Sequence, residues 1–220
     1  MAKAQKCLDQ VPIGQYAKAD DCLAMVAEYS SQQAMILKCS IVHVSGGLME
    51  DKVLKAYSAL KDGSGQTNKS AAFMAALALD QPDINTGYTK ALLADSYCQQ
   101  TGVSGLKYLS GVIVAGTFMN KVAGSIDITD PNAAQTAITN LVNQCVSSPS
   151  ASCTTDLPTL GTAVTNLAQS YCAGSSADQN VCSQVNNAVT AAGGDSTNVG
   201  KALLCYMNHQ TFSLSDGLCH

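Results

Sequence analysis

Ten cysteines are spread over this 220-residue chain, and they limit its possible folds more than any other feature. A high and even number favours disulfide bonds and an oxidising compartment, because thiols stay reduced in the cytosol. The spacing Cys-x-x-Cys does not occur, which disfavours the common zinc motifs and a thioredoxin-like redox site. We therefore predict that most or all of the cysteines are oxidised. They stand at positions 7, 22, 39, 98, 145, 153, 172, 182, 205 and 219.

Two pairs of cysteines are close together in the sequence. Cys145 and Cys153 flank one predicted loop, and Cys172 and Cys182 flank another. A disulfide across each loop would typically add about 2–4 kcal/mol to the free energy of unfolding. Longer-range pairings are equally compatible with the order of the cysteines, so the connectivity stays open at this point.

Charged residues are scarce in this chain. They make up 13% of it, against 46% apolar residues, the formal net charge is −4, and no arginine occurs. Nucleic-acid binding depends on clustered lysine and arginine, so this composition argues against it. A surface covered mainly by uncharged polar residues suits an extracellular, cell-surface or periplasmic protein. Little charge repulsion would oppose association with a protein partner or with other copies of the chain.

Neither the N-terminus nor the apolar stretches predict membrane insertion. The first residues, MAKAQKC, lack the apolar centre of a secretory signal. If the protein is exported, we expect the chain to be the mature form with an added Met. The longest mostly apolar stretch, 111–119, is far shorter than the ~20 residues of a membrane-spanning helix. We expect it to form the buried centre of a helix, and we expect no transmembrane segment.

Helical periodicity dominates the chain between breaks that are rich in Gly, Ser, Pro and Asp. It predicts an all-α protein, either a multi-helix bundle or an irregular array of about ten short, disulfide-stabilised helices. Only the β-branched segment 39–44 offers a short strand as an alternative. The break at 123–131 suggests an N-terminal helical part, 1–122, and a C-terminal one, 123–220, although a single domain over 1–220 is also compatible. The predicted helices cover 14–29, 31–44, 48–61, 68–79, 84–100, 103–122, 131–146, 157–172, 179–192 and 196–210.

A weak internal repeat relates three of these helices. Segments 83–98 and 156–172 both place Gly eleven residues before a Cys and both end in Ala-x-Ser-Tyr-Cys, and segment 130–145 fits more loosely. An aspartate near the start of each segment is a predicted N-cap, and the Cys then closes the last helical turn. Chance similarity within an Ala/Ser/Thr-rich composition is the other interpretation. The predicted N-caps are Asp83, Asp130 and Asp156.

All three histidines lie near cysteines. His43 and His209 follow Cys39 and Cys205 with the spacing Cys-x3-His, which places both side chains on one helix face. Two such helices side by side would offer a zinc site with two Cys and two His ligands, namely Cys39, His43, Cys205 and His209. Cys39 and Cys205 would then lie close together and would either bind the same metal or form a disulfide beside it.

Haem is the second cofactor that the histidines suggest. His43 and His209 would be its axial ligands, with the cysteines still free to form disulfides. Cys219 and His220 match the end of a haem attachment motif, but residue 216 is Asp where that motif has its first Cys. The third interpretation is chance, since ten cysteines in a chain of this length fall near a few histidines anyway.

Few features of the sequence indicate catalysis. The sequence contains neither Gly-x-Ser-x-Gly nor His-Glu-x-x-His, and the carboxylate pairs Asp20–Asp21 and Glu50–Asp51 are adjacent, so their side chains diverge on a helix. We assign no catalytic residue.

The expected function is therefore a binding or structural, self-assembling role of a secreted or cell-surface helical protein. A carrier with a cavity for a small apolar ligand belongs to the same class. The alternative is a haem-binding electron-transfer protein that uses His43 and His209, and an enzyme comes third.

Overall fold

A computed structural model of the chain shows an all-α, disulfide-stabilised architecture, as the sequence predicts. The structure describes residues 1–12, 14–61, 65, 67–79, 81–172 and 179–220. Within these ranges lie eleven α-helices and one antiparallel two-stranded hairpin. The helices are α1 Ala2–Asp9, α2 Ala19–Ala24, α3 Gln32–Ser45, α4 Glu50–Leu60, α5 Lys69–Leu77, α6 Ile84–Cys98, α7 Ser104–Ala123, α8 Ala133–Val142, α9 Ala151–Ser170, α10 Gln179–Ala191 and α11 Ser196–Met207, and the strands are β1 Phe212–Ser213 and β2 Leu218–Cys219.

Most helix boundaries lie close to the predicted ones, and the N-terminal region differs most. Helix α1 was not predicted, and the predicted helix 14–29 is reduced to α2 and a preceding 3₁₀ turn, Tyr16–Lys18. The segment 39–44 is helical within α3, so the strand alternative is wrong. Ile41 and Val42 are buried there, and their burial outweighs the weak helix propensity of β-branched residues.

Asp83 caps helix α6, as predicted. Its carboxylate accepts hydrogen bonds from the backbone N–H groups of Asn85 and Thr86 and from the Thr86 hydroxyl. These bonds, chiefly those from Thr86, hold the pKa of Asp83 below its usual range because they stabilise the charged form.

The predicted caps Asp130 and Asp156 are wrong. Asp130 lies in the turn before α8, whose N-cap position belongs to Asn132. Helix α9 is capped by Ser150, whose hydroxyl accepts a backbone hydrogen bond, and it therefore starts well before the predicted position 157. Asp156 lies inside this helix and makes an ion pair instead.

Helix α7 runs through the core and packs on α5, α6, α8 and α9. Its segment 110–120 is buried throughout, which confirms the predicted buried stretch. Gly116 allows a close approach to α5, because a Cβ at this position would overlap the backbone carbonyl of Met74. Helices α9 and α11 approach each other in the same way, since a Cβ on Gly161 would overlap the carbonyl of Ser196.

Most buried apolar residues of the described ranges belong to two clusters. The larger one contains residues from α4 through β1 and takes members from both sides of position 122. The smaller one joins α1, α2 and α3. The division into parts 1–122 and 123–220 stays a prediction.

Five disulfides take up all ten cysteines. Two of these disulfides are the local pairs Cys145–Cys153 and Cys172–Cys182, which the sequence suggested while leaving longer-range pairings open. This number of disulfides indicates an oxidising environment. The other three are Cys7–Cys22 between α1 and α2, Cys39–Cys98 between α3 and α6, and Cys205–Cys219 between α11 and β2.

Candidate functional site

The Cys39–Cys98 disulfide and His43 form a buried cluster at the contact between α3 and α6. Nδ1 of His43 lies 3.9 Å from Sγ of Cys39. Its Nε2 atom has no hydrogen-bond partner among the described residues, and its side chain is 4% exposed. Burial lowers the pKa of His43 to about 4, so the ring is neutral at neutral pH.

The predicted zinc site is not formed. Cys39 is bonded to Cys98 and Cys205 to Cys219, so the proposed pairing of Cys39 with Cys205 is wrong. Zinc is bound by the thiolate form of cysteine, and neither sulfur is available in that form here. Cys98 was not predicted as a neighbour of His43, because its bond to Cys39 joins residues 59 positions apart and no local pattern marks it.

The two histidines proposed as haem ligands lie on helices with different neighbours. His43 belongs to α3, which packs on α6 and α2, whereas His209 follows α11, which packs on α9 and α10. The ring of His209 is exposed, and its backbone is left-handed with φ 59°. A haem with two axial histidines needs their ring nitrogens about 4 Å apart, twice a metal–nitrogen bond. The structure therefore offers no support for an axial pair.

The last two residues lie in the C-terminal hairpin. Cys219 is bonded to Cys205, so its sulfur is not free to form a thioether with a haem. Nε2 of His220 lies 2.9 Å from the Asp216 carboxylate. A hydrogen bond from the Leu218 N–H, with a smaller contribution from His220, holds the pKa of Asp216 below its usual range. These contacts close the hairpin, and we assign them a structural role.

A second, partly buried polar cluster lies between α6, α7 and α9. Nζ of Lys121 is 2.6 Å from the Asp156 carboxylate and 4.6 Å from the centre of the Tyr88 ring. Burial, together with the negative charge of Asp156, raises the pKa of Tyr88. The three side chains belong to three different helices, so their contacts fix how these helices pack.

A groove of about 680 Å³ lies between α4 and the segment 125–129, and we call it the α4 groove. Its volume falls within the ~300–1,000 Å³ that is usual for small-molecule sites. Hydrogen bonds from Thr129 hold the pKa of Asp127 below its usual range, so a negative charge stays at the groove. The apolar lining residues are Leu54, Ala59, Ile126 and Ile128, and the polar ones are Lys55, Ser58, Ser125, Asp127 and Thr129.

Helix α4 also exposes large apolar side chains. Leu54 and Tyr57 are each 58% exposed, and Val53 is 45% exposed. The same helix buries Ala56 and Ala59. An amphipathic surface helix usually buries its large apolar residues, so this arrangement is the reverse of the ordinary pattern. We call the surface formed by Val53, Leu54 and Tyr57 the α4 face.

Neither the α4 face nor the α4 groove was predicted from the sequence. The residues of 48–61 show helical periodicity, but both large and small apolar residues occur in it. Which of them face the core depends on the position of α5, against which α4 packs. The sequence did contain a signal for the α4 face, because the large apolar residues at 53, 54 and 57 lie roughly opposite Ala56 and Ala59 on a helix.

Comparisons of the chain with protein-family models, curated proteins and solved structures found no match. In the part of the chain that the structure describes, no helix combines the length and apolar character needed to cross a bilayer.

Proposed function

We propose that this protein is a secreted or cell-surface, disulfide-stabilised helical protein that associates with copies of itself through the α4 face. Five disulfides support placement in an oxidising compartment. A charged share of 13% and a net charge of −4 leave little repulsion between copies.

The reversed orientation of α4 is the observation that carries this proposal. Its large apolar residues, Leu54 and Tyr57, face solvent while its alanines face the core. Contact with another protein surface would remove this apolar area from water at a gain of roughly 25 cal/mol per Å². Exposed apolar patches on soluble proteins commonly mark interaction sites for this reason.

Sedimentation velocity over a wide range of protein concentrations tests the proposal. The native chain should shift from monomer toward dimer as the concentration rises, and the double variant Leu54→Gln, Tyr57→Gln should stay monomeric. The variant Leu214→Gln is the matched control, because Leu214 is 54% exposed in the turn between β1 and β2. A native chain that is monomeric throughout, or a double variant that associates like the native chain, contradicts the proposal.

A small apolar ligand in the α4 groove is the second candidate function. The volume of about 680 Å³ and the walls formed by Leu54, Ile126 and Ile128 favour it. Fluorescence of 1-anilinonaphthalene-8-sulfonate measures binding to such a site. The variant Ile126→Ser should weaken binding of this dye, whereas Leu218→Ser on the hairpin should not. Equal binding by both variants would place the dye elsewhere and contradict this candidate.

A further inference from the structure

One stripe of side chains on α4 runs along the whole helix. Glu50, Leu54, Tyr57 and Lys61 follow one another at steps of four, three and four residues, and all four are exposed. This spacing puts them on one face, as in the seam of a two-helix coiled coil. The cation–π contact between Nζ of Lys61 and the Tyr57 ring, 4.6 Å from its centroid, shows that these two residues do share a face.

The stripe has opposite charges at its two ends. Glu50 is the first residue of the helix, and Lys61 occupies the position just after its last residue. Leu54 and Tyr57 lie between Glu50 and Lys61 and are centred on the same point of the helix as these two charged residues. Glu50 has no ion-pair partner among the described residues.

This pattern is complementary to itself only when two helices run in opposite directions. In an antiparallel pair around a two-fold axis, Glu50 of each copy lies opposite Lys61 of the other, and Leu54 lies opposite Tyr57. In a parallel pair, Glu50 would face Glu50 and Lys61 would face Lys61, which is unfavourable. The α4 groove lies beside Leu54 and leaves room for side chains of the second copy.

We infer that two copies of this chain pair through antiparallel α4 helices, with Glu50 of one copy opposite Lys61 of the other. This inference rests on the proposed self-association and adds its orientation and register. A single 11-residue helix forms the seam. The buried area is therefore expected to fall below the ~1,200 Å² of a stable complex, so the dimer should be weak and reversible.

Charge reversal at the two ends of the stripe tests the register. The variants Glu50→Lys and Lys61→Glu each place like charges opposite one another twice per dimer. At low salt, each variant alone should have a dimerisation constant weakened by about tenfold, since each reversal changes two attractive rim contacts into repulsive ones. An equimolar mixture of the two variants should recover native-like association, because both end contacts are then attractive. Sedimentation equilibrium measures all three samples.

Two control variants carry the same charge changes elsewhere. Glu28→Lys and Lys3→Glu alter exposed residues away from α4, and both should dimerise like the native chain. A mixture of Glu50→Lys and Lys61→Glu that fails to recover association overturns the register, as does native-like dimerisation of either variant alone. In those cases the loss of association in the Leu54→Gln, Tyr57→Gln variant still supports the α4 face. A native chain that remains monomeric overturns both proposals.

Discussion

The imidazole of His43 lies against the Cys39–Cys98 disulfide, with Nδ1 3.9 Å from the Cys39 sulfur. The ring is almost completely removed from water, and its Nε2 atom finds no acceptor among the described residues. A positive charge in this place would lose its hydration without gaining a partner. The folded protein therefore keeps His43 neutral.

We expect the stability of the protein to fall as the pH drops from about 6.5 to about 4. In the folded state the pKa of His43 is about 4, against 6.5 for an ordinary histidine. Between these values the unfolded chain binds a proton that the folded chain does not bind, so the free energy of unfolding decreases. The loss is at most about 3.5 kcal/mol at ~1.4 kcal/mol per pKa unit, and above pH 6.5 the effect vanishes.

Urea denaturation at a series of pH values measures this effect. Other groups also titrate in acid, so the informative quantity is the difference between the native chain and the variant His43→Leu. The variant should lose less stability than the native chain in this pH range. The variant His209→Leu changes an exposed histidine and should follow the native curve. The same change in the free energy of unfolding with pH for the native chain and His43→Leu would contradict the role assigned to His43.

Removal of the Cys39–Cys98 disulfide should destabilise the protein more than removal of Cys145–Cys153. The first bond joins residues 59 positions apart and the second residues 8 positions apart. Loop-closure entropy predicts costs of about 4 and about 2.5 kcal/mol, respectively. All four sulfurs are fully buried, so paired substitutions to Ala create similar packing losses. Urea denaturation of the two double variants gives the comparison, and equal costs would contradict the entropic explanation.

Substitution of Gly161 by Ala should destabilise the contact between α9 and α11. The added Cβ would overlap the backbone carbonyl of Ser196, which cannot move without shifting α11. We expect a loss of about 1–3 kcal/mol in the free energy of unfolding. Gly105→Ala is the control, because no atom lies within 4 Å of a Cβ at that helical position. It should leave stability unchanged or raise it by up to about 1 kcal/mol, since Ala favours helix over Gly. Equal thermal stability of the two variants would refute the close contact.

Loss of Lys121 should cost more stability than loss of the whole Lys121–Asp156 pair. The side chains are 19% and 13% exposed, so Lys121→Met leaves a poorly hydrated carboxylate without its partner. We expect a loss of about 2–3 kcal/mol for this variant. The double variant Lys121→Met, Asp156→Leu removes both charges and should recover part of that loss. A double-mutant cycle by urea denaturation measures the coupling, and additive effects would show that the two charges act independently.

Many local features of this chain were predictable from the sequence. Asp83 and Asp156 are a pair for which the same local pattern gave one correct prediction and one wrong prediction. Both aspartates precede a helical pattern that ends in Ser-Tyr-Cys, yet only Asp83 is a cap. Ser150 supplies a competing cap for α9, and the helix continues through Pro158 toward it. Asp156 then gains an ion pair with Lys121, 35 positions away in the sequence. A local pattern does not contain that partner.

The candidate sites also combine a local pattern that the sequence shows with partners that only the tertiary structure supplies. The Cys-x3-His spacing occurs at both Cys39 and Cys205. In the structure, however, Cys39 is bonded to Cys98 and Cys205 is bonded to Cys219. His43 is buried beside its disulfide and His209 is exposed, although both follow a cysteine with the same Cys-x3-His spacing. Burial and pairing of these residues depend on the elements that pack around them.

By itself the sequence determined the all-α class, most helix positions and the oxidised state of the cysteines, and it suggested the local pairs Cys145–Cys153 and Cys172–Cys182 without excluding longer-range pairings. These properties follow from helical periodicity and from short loops, which are encoded within neighbouring residues. Only the tertiary structure decided that Cys98 is the partner of Cys39 and that α4 buries its alanines while Leu54 and Tyr57 face solvent. The physical reason is that the face a helix buries is set by the total contact it makes with distant elements, and that total is not contained in the helix's own sequence.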